Sequence, residues 1–326
     1  MVEKTLSTQS YMAPVQHLIP LVEARMREQA NGHNPDLAAA IEHLLDSGGK
    51  RIRPTICLLV AEMLGTDRER SITLAAAAEM LHTATLVHDD LIDGSLMRRG
   101  MPTLNANWSP SATILTGDFI FARAAKLAAE TESIQLMDQF AQTLSVIVAG
   151  EVSQLFKSKW FASREDYFER IYAKTASMFE LAAAGPAYLS EINDDMRNQL
   201  RRFGHHIGMA FQIVDDILDF TGAQVDIGKP VANDLRQGLF TLPALYYMED
   251  HPDDPDMQTL INDEASTEHA LNRLVHRIVN SVAIERSMDE ARDFITRALY
   301  LLRDMPECRE RQALASLARY IIDREL

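Results

Sequence analysis

Two short segments carry the residue types that are best suited to chemistry in this chain. The first, 86–100, has the sequence LVHDDLIDGSLMRRG, and the second, 211–220, has the sequence FQIVDDILDF. Each contains three aspartates with the same internal spacing among mainly apolar neighbours. The aspartates are Asp89, Asp90 and Asp93 in the first segment and Asp215, Asp216 and Asp219 in the second. Ionised carboxylates this close together repel one another, especially in apolar surroundings, and therefore need a compensating charge.

A divalent cation would supply that charge. Residues four apart on an α-helix lie on the same face, so Asp89 projects with Asp93, and Asp215 projects with Asp219. Mg²⁺ prefers oxygen ligands, keeps several waters and commonly shares its coordination shell with substrate phosphates. A solvated acidic surface would explain one such segment, but the repeat and the apolar neighbours favour a metal site. We therefore predict that the two segments face each other across a cavity and hold divalent metal ions.

Basic residues are placed where they can bind phosphate. Lys50, Arg51 and Arg53 follow a double glycine and precede Pro54, which suits the first turn of a helix. The amides of a helix N-terminus and basic side chains together form an anion site. Four further cations lie near or between the acidic segments: Arg98, Arg99, Lys174 and Lys229. The pattern predicts two diphosphate pockets, one bridged by metal and one lined by cations alone, with an apolar cavity between them.

Composition and charge narrow the class of protein. The 326 residues carry 32 Lys and Arg against 47 Asp and Glu, a formal net charge of −15, which speaks against nucleic acid as the main partner. The two cysteines, Cys57 and Cys308, are far apart and lack metal-ligand spacing, which fits a reducing, cytoplasmic setting. We expect no signal peptide and no membrane span, because no uncharged apolar run approaches about 20 residues.

The pattern of apolar residues predicts an all-α protein. Ala, Leu, Met, Glu and Arg are frequent, and no alternating pattern is long enough to predict a strand. Residues 1–10 are expected to be flexible. Helices are predicted over 11–29, 37–46, 55–64, 73–93, 111–130, 134–156, 164–189, 196–220 and 242–249, with a polar loop over 225–238 and three amphipathic helices towards the C-terminus. Without a linker or composition shift, residues 1–326 are predicted to form one helical bundle around a central cavity.

The order of these motifs resembles that of the trans-isoprenyl diphosphate synthases, the head-to-tail prenyltransferases of the polyprenyl synthetase type. The matching segments are GGKRIRP at 48–54, LVHDDLIDGSLMRRGMPT at 86–103, GD at 117–118, GE at 150–151, KTA at 174–176, FQIVDDILDF at 211–220, and GKPVANDLRQG with TLP from 228 to 243. The resemblance implies the all-α isoprenoid synthase fold, usually as a homodimer. It also implies elongation of an allylic diphosphate with isopentenyl diphosphate, with about three Mg²⁺ ions, or Mn²⁺ in their place, at each active site.

The resemblance implies roles for individual residues. The six aspartates of the two triplets would bind metal. The allylic diphosphate would be held by Arg98, Lys174 and Lys229, and isopentenyl diphosphate by Lys50, Arg53, His82 and Arg99. Thr175 and Gln212 would lie near the reacting carbons. For His82 a structural role is the alternative, since a lone histidine in an apolar helix is usually a core residue.

One position departs from the family pattern. Many short-chain members carry a second lysine just before the threonine of TLP, whereas the sequence GLFT at 238–241 has none. Lys229 would therefore contact the leaving diphosphate with less help.

The length of the product is predicted from the residues that precede the first triplet. Thr85 and Ala84 lie four and five residues before Asp89, roughly 6–7.5 Å deeper at the rise of an α-helix. Short-chain members often carry an aromatic floor there, whereas no aromatic residue occurs here from 74 to 87, and Leu81 lies deeper still. This depth corresponds to about one isoprene unit. We therefore predict that the growing chain passes beyond it and gives a medium or long all-trans product of about C30–C50. Ala84→Phe should shorten this product.

Three alternatives remain at this point. A short-chain farnesyl or geranylgeranyl diphosphate synthase would share every motif. A class I terpene cyclase would usually mix Asn, Ser or Thr with Glu in its second metal motif and would leave the basic site at 50–53 without a purpose. The intact motifs argue against a non-catalytic subunit, but they are equally compatible with the catalytic subunit of a heteromeric synthase.

Overall fold

The computed structural model describes residues 11–156, 163–222, 231–261 and 267–324. Within these ranges the protein is a bundle of α-helices, which confirms the all-α prediction. The first half contains α1 (Ile19–Arg27), α2 (Pro35–Asp46), α3 (Ile52–Leu64), α4 (Arg68–Ile92), β1 (Met97–Arg98), β2 (Met101–Pro102), α5 (Leu104–Asn107), α6 (Pro110–Glu130) and α7 (Ile134–Phe156). The second half contains α8 (Arg164–Ile171), a π-helical turn (Tyr172–Ala176), α9 (Ser177–Ala184), α10 (Asp194–Thr221), α11 (Asn233–Arg236), α12 (Leu242–Asp250), α13 (Pro255–Ile261), α14 (Glu268–Val279), α15 (Ala283–Leu301) and α16 (Arg309–Ile322). None of the described helices combines the length and the apolar character needed to cross a lipid bilayer.

The two aspartate triplets lie near the C-terminal ends of the long helices α4 and α10. Each helix begins at a side-chain cap, since Asp67 accepts from the amide of Arg70 at 2.9 Å and Asn193 accepts from the amide of Met196 at 2.8 Å. Helix α4 packs against α3 and α6, and α10 packs against α9 and α15. Most of α4 is buried, as expected of a helix that is apolar on nearly every face. Both helices contribute aspartates to the wall of one cavity.

Two glycines let α10 lie directly against the π-helical turn and α9. A Cβ atom at Gly204 would come within 2.4 Å of the carbonyl oxygen of Phe179, and one at Gly208 would come within 2.6 Å of the Cα atom of Ala176. No larger residue fits at either position without moving backbone. Because these backbones touch, the second triplet reaches the cavity beside the KTA segment.

The structure differs from the sequence-based predictions in several places: α5 was not predicted, and among the described residues four helices rather than three follow position 250. Four further differences concern elements that line the cavity. The first aspartate helix begins at Arg68 rather than at position 73, because Asp67 caps it. The predicted helix 164–189 is interrupted by the π-helical turn, and the predicted loop 225–238 contains α11 in its described part. The hairpin β1–β2 was not predicted, because strands of two residues leave no alternating pattern in the sequence. His43 Nε2 bonds to the carbonyl oxygen of Pro102 at 2.7 Å and holds this hairpin against α2.

Candidate active site

A cavity of about 740 Å³ lies between the two aspartate helices and the loop before α3. The hairpin, the π-helical turn and the residues after α16 complete its walls. Acidic side chains line it at Glu79, Asp89, Asp93, Asp215, Asp216 and Asp234. Basic side chains line it at Lys50, Arg51, Arg53, Arg98, Arg99, Arg170, Lys174 and Arg324. The cavity thus unites charged residues from motifs that are far apart in the sequence.

The first triplet divides between the cavity and the protein interior. Asp89 and Asp93 line the cavity, and the Nζ atom of Lys174 lies 3.4 Å from Oδ2 of Asp89. Burial raises the pKa of Asp89 to about 6, although the charge of Lys174 works in the opposite direction. Asp90 is buried, and Arg98 donates to its two oxygens from Nε at 2.9 and 3.1 Å. Asp90 therefore anchors Arg98, a residue predicted to hold the allylic diphosphate, at the cavity wall.

In the second triplet, Asp215 and Asp216 line the cavity and Asp219 does not. Asp215 accepts a hydrogen bond from Nη1 of Arg324 at 2.7 Å. Asp216 is buried and accepts from Tyr167 Oη at 2.7 Å and from Gln212 Nε2 at 2.8 Å. Burial raises the pKa of Asp216 to about 7. The backbone amide of Asp234 donates to Oδ2 of Asp219 at 3.3 Å. In both triplets the middle aspartate is thus buried and already hydrogen-bonded by side chains of the protein.

The donor chemistry of the aspartates in the cavity fits a hard divalent cation. Asp89 on α4, Asp93 directly after its last residue and Asp215 on α10 all line this cavity. Among the residues with described positions, no group of three His, Cys, Asp or Glu side chains could hold a metal ion by itself. Mg²⁺ suits such an arrangement, because it usually takes one or two protein carboxylates and completes its shell with water and substrate phosphate. The metal-ligand roles of the six aspartates remain a prediction.

The loop before α3 gives the cavity part of its positive charge. Gly48 and Gly49 adopt φ angles of 73° and 157°, which favour glycine, and Arg51 adopts a left-handed φ of 46°. Arg51 donates to Glu23 at 2.9 Å, to Glu79 at 3.1 Å and to the carbonyl oxygen of Leu45 at 3.1 Å. These bonds occupy Arg51 and hold the loop, so that Lys50 and Arg53 on either side remain to bind a ligand.

The predicted isopentenyl diphosphate residues meet in this cavity. Lys50, Arg53, His82 and Arg99 all line the cavity, and Nη1 of Arg99 donates to the carbonyl oxygen of Gly48. Arg53 Nε and His82 Nδ1 are buried and have no hydrogen-bond partner within the described ranges. Burial lowers the pKa of Arg53 to about 10, and burial beside the arginines lowers the pKa of His82 well below its usual value. A buried cation and a neutral imidazole therefore face a space that suits an anion.

The π-helical turn presents Lys174 and Thr175 to the cavity. Lys174 Nζ lies 3.4 Å from Glu151 Oε1 as well as from Asp89, so two carboxylates share one cation. Gly150 lets α7 lie close against the π-helical turn, since a Cβ atom at Gly150 would lie 2.5 Å from the Cβ of Ala173. Thr175 Oγ1 donates to Oε1 of Gln212 at 2.7 Å. The extra residue of a π turn is common at functional sites, where it re-aims side chains.

The predicted chain-length residues fall into two groups. Thr85 lines the cavity, whereas Ala84 and Leu81 are fully buried and do not belong to its lining. Lys229 lies outside the described residues. The roles of all four positions remain predictions.

Four residues that hold charged side chains of the site in place had no predicted role. Glu79 and Glu151 hold Arg51 and Lys174, and Tyr167 and Arg324 hold Asp216 and Asp215. The glutamate of the GE motif at 150–151 was the only one of these with a signal in the sequence. The others reach the site through tertiary packing, Arg324 from 109 positions away along the chain.

Comparison with known proteins agrees with this geometry. The polyprenyl synthetase family model matches residues 34–278. An all-trans-nonaprenyl-diphosphate synthase (geranyl-diphosphate specific) from Rhodobacter capsulatus is 38% identical over 97% of this chain and 98% of its own length. Heptaprenyl diphosphate synthase component 2 from Bacillus subtilis is 35% identical over 93% of this chain and 87% of its own. A polyprenyl synthase from Caulobacter crescentus, crystallised with calcium and isoprenyl diphosphate, has a TM-score of 0.91 and 33% identity over 99% of both chains.

The fold and the charged cavity together define an all-α enzyme with the isoprenoid synthase fold. The chain belongs to the polyprenyl synthetase family and is a trans-prenyltransferase. This confirms the resemblance that its motifs indicate. The similarity to a nonaprenyl diphosphate synthase agrees with the predicted medium- or long-chain elongation.

Proposed function

We propose that this protein elongates an allylic diphosphate with isopentenyl diphosphate and releases an all-trans polyprenyl diphosphate of medium or long chain. The observation that carries the proposal is that one cavity brings together two sets of charged side chains. Carboxylates of α4 and α10 form one set, and cations of the loop before α3 form the other. The carboxylates suit a diphosphate that binds with metal ions, and the cations of the loop suit a diphosphate bound without metal.

The set of carboxylates is proposed to bind the allylic diphosphate. Asp89, Asp93 and Asp215, which line the cavity, are proposed as ligands for about three Mg²⁺ ions per active site. When bound, the ions supply positive charge that favours departure of the diphosphate. Lys174 already lies beside Asp89 and can exchange its carboxylate partners for phosphate oxygens. Arg98 stands beside it, fixed by Asp90, and Lys229 is proposed to complete the set.

The reaction balances without an added reagent. The allylic C–O bond breaks, and its electron pair leaves with the diphosphate. The terminal double bond of isopentenyl diphosphate supplies the electron pair of the new C–C bond. A proton then leaves the adjacent carbon, and the electron pair of the broken C–H bond forms the new double bond. The released diphosphate accepts this proton. Leu86, Met178 and Phe211 line the cavity and help to keep water from the cationic intermediate.

The first test is the product itself. The purified protein is incubated with farnesyl diphosphate, radiolabelled isopentenyl diphosphate and Mg²⁺, and the dephosphorylated products are separated by chain length. We expect radiolabelled all-trans products of about six to ten isoprene units, because the sequence from 74 to 87 contains no aromatic residue that could close the cavity about one helical turn below Asp89. A product that stops at fifteen or twenty carbons would favour the short-chain alternative. Omitting the allylic primer is the control and should abolish product.

A second candidate is the catalytic subunit of a heteromeric synthase. The similarity to a protein described as component 2 of a heptaprenyl diphosphate synthase favours it. Activity of the purified chain alone in the same assay separates the two. Elongation without any second protein supports an independent enzyme, whereas elongation only after addition of cell extract supports a heteromeric one.

We infer that two copies of the chain associate through α6 and α7. Val148, Val152 and Leu155 form an exposed stripe at helical spacing on α7, and Leu115 on α6 is 66% exposed. A monomer rarely exposes so many large apolar side chains on adjacent helices. Light scattering after size-exclusion chromatography should give twice the chain mass, and Val152→Glu should give the mass of one chain. A monomeric mass for the wild type would contradict this inference.

The two cysteines support a reducing compartment such as the cytoplasm for this activity. Cys57 is buried in α3, Cys308 is half-buried before α16, and both are free thiols. Free thiols persist where disulfides are kept reduced.

A further inference from the structure

A chain of four hydrogen-bonded side chains runs from the protein interior to the wall of the cavity. Tyr167 Oη donates to Asp216 Oδ2 at 2.7 Å, and Gln212 Nε2 donates to Asp216 Oδ1 at 2.8 Å. Thr175 Oγ1 donates to Gln212 Oε1 at 2.7 Å. Tyr167 is fully buried on α8, while Thr175, Gln212 and Asp216 line the cavity. Three separate elements, α8, the π-helical turn and α10, are thereby joined.

The direction of each hydrogen bond in this series follows from the bonds that Asp216 accepts. Asp216 accepts from Tyr167 at one oxygen and from Gln212 at the other, so Gln212 turns its amide nitrogen towards Asp216. Its carbonyl oxygen must then face Thr175, and the single hydroxyl proton of Thr175 must point to that oxygen. The lone pairs of Thr175 Oγ1 and the remaining lone pair of Gln212 Oε1 are left for the cavity. Without a fixed acceptor, the two orientations of a glutamine amide are nearly equivalent in shape.

Tyr167 holds that acceptor in place. Its hydroxyl engages one oxygen of Asp216 while Gln212 engages the other, so both oxygens have donors from the protein. The ring of Tyr167 lies 5.4 Å from that of Phe168, and the guanidinium of Arg170 lies over it at 5.5 Å, which fixes the position of the hydroxyl. A tyrosine without exposed surface has no water to replace this partner. The hydroxyl therefore acts on the cavity through Asp216 and Gln212.

We propose that Tyr167 is a positioning residue, which acts through Asp216 to orient Gln212 and Thr175 so that their oxygen lone pairs face the carbon on which positive charge develops. This inference rests on the proposed elongation reaction. Dipoles that are oriented before the reaction stabilise developing charge without reorganising during it. Loss of the Tyr167 hydroxyl should therefore slow the chemical step and leave substrate binding intact.

The test is Tyr167→Phe, with Tyr247→Phe as its matched control. Tyr247 is also buried and also donates to an aspartate, Asp254 Oδ2, at 2.7 Å, but Asp254, unlike Asp216, does not line the cavity. We expect Tyr167→Phe to lower kcat by about tenfold or more and to change the KM of both diphosphates by less than about twofold, as for other residues that orient a contacting group. The control should retain wild-type kcat. A kcat for Tyr167→Phe equal to that of Tyr247→Phe would overturn the proposal.

A double-mutant cycle shows whether the effect passes through Gln212. In a Gln212→Met background, Tyr167→Phe should cause no further loss of kcat, whereas a purely structural effect of the tyrosine would add in full. A wild-type protein without elongation activity would refute the proposed function instead. The inference is then decided by NMR of protein labelled at the glutamine side-chain nitrogen. The Gln212 amide signals should move in Tyr167→Phe and stay in Tyr247→Phe, and unmoved signals in both would overturn it.

Discussion

Asp89→Asn is expected to lower kcat by about 10³-fold, the scale of losing a charged contact to the transition state. Asp89 lines the cavity to which both α4 and α10 contribute carboxylates, and its Oδ2 lies within 3.4 Å of Lys174. Asparagine keeps the shape of the side chain but removes the charge that attracts divalent metal. Steady-state elongation kinetics at saturating Mg²⁺ measure the effect. The surface carboxylate variant Asp289→Asn is the control and should keep the wild-type rate.

The same substitution is expected to leave the metal-free fold as stable as the wild type, or to stabilise it. Burial raises the folded-state pKa of Asp89 to about 6 from 3.8. The folded protein therefore binds this proton more tightly than the unfolded chain, and the stability contributed by the group falls as pH rises from 3.8 to about 6. Asparagine cannot ionise, so it avoids this penalty, and Lys174 keeps Glu151 as a partner. Calorimetry at pH 7 without metal should show no loss of Tm.

These two measurements separate a functional carboxylate from a structural one. Added Mg²⁺ with inorganic diphosphate should raise the Tm of the wild type and of Asp289→Asn, and should raise that of Asp89→Asn less. A variant that keeps more than a tenth of the wild-type kcat would contradict a metal-ligand role for Asp89. A large loss of Tm in the metal-free variant would assign Asp89 to the support of the fold.

The sequence was sufficient to predict which helices carry the site, but it could not separate the aspartates within each triplet. The spacing of four placed Asp89 and Asp93 together, and both line the cavity. Asp90 directly follows Asp89, so its side chain projects about 100° further around the helix, and in this fold that side of the helix is buried. Burial there makes Asp90 an anchor for Arg98. Which side of a helix faces the interior depends on the elements that pack against it. A helix that is apolar on every side has no local sequence pattern that predicts this.

The basic loop before α3 shows the same limit. Three cations in four residues looked equivalent in the sequence, yet the left-handed φ of 46° at Arg51 turns its side chain to Glu23 and Glu79. Glu23 and Glu79 each lie 28 positions away from it, on α1 and α4. Contacts over such separations decide which cation supports the loop and which is left for the ligand. The residue types alone therefore did not separate the three cations, and only the family resemblance assigned ligand roles to Lys50 and Arg53 and none to Arg51.

Thr85→Phe is expected to shorten the product to about fifteen or twenty carbons, because Thr85 lies one helical turn, about 6 Å, below Asp89. Thr85 lines the cavity, and its hydroxyl is already engaged by the carbonyl oxygen of His82 at 2.7 Å. A phenylalanine ring at this position must project into the space along which the hydrocarbon grows. Separation of the dephosphorylated products by chain length measures the effect. Thr85→Val, which keeps the volume, is the matched control and should give the wild-type product.

Ala84→Phe, predicted from the sequence to shorten the product, should differ from Thr85→Phe in its effect on the stability of the protein. Ala84 is fully buried and has no share in the cavity lining, so a ring there must displace packed neighbours. Overpacking of this kind costs about 1–3 kcal/mol. We therefore expect Ala84→Phe to lower Tm together with any shortening, and Thr85→Phe to shorten the product with the smaller loss of Tm. An unchanged product distribution from Thr85→Phe would show that the chain grows along another wall of the cavity.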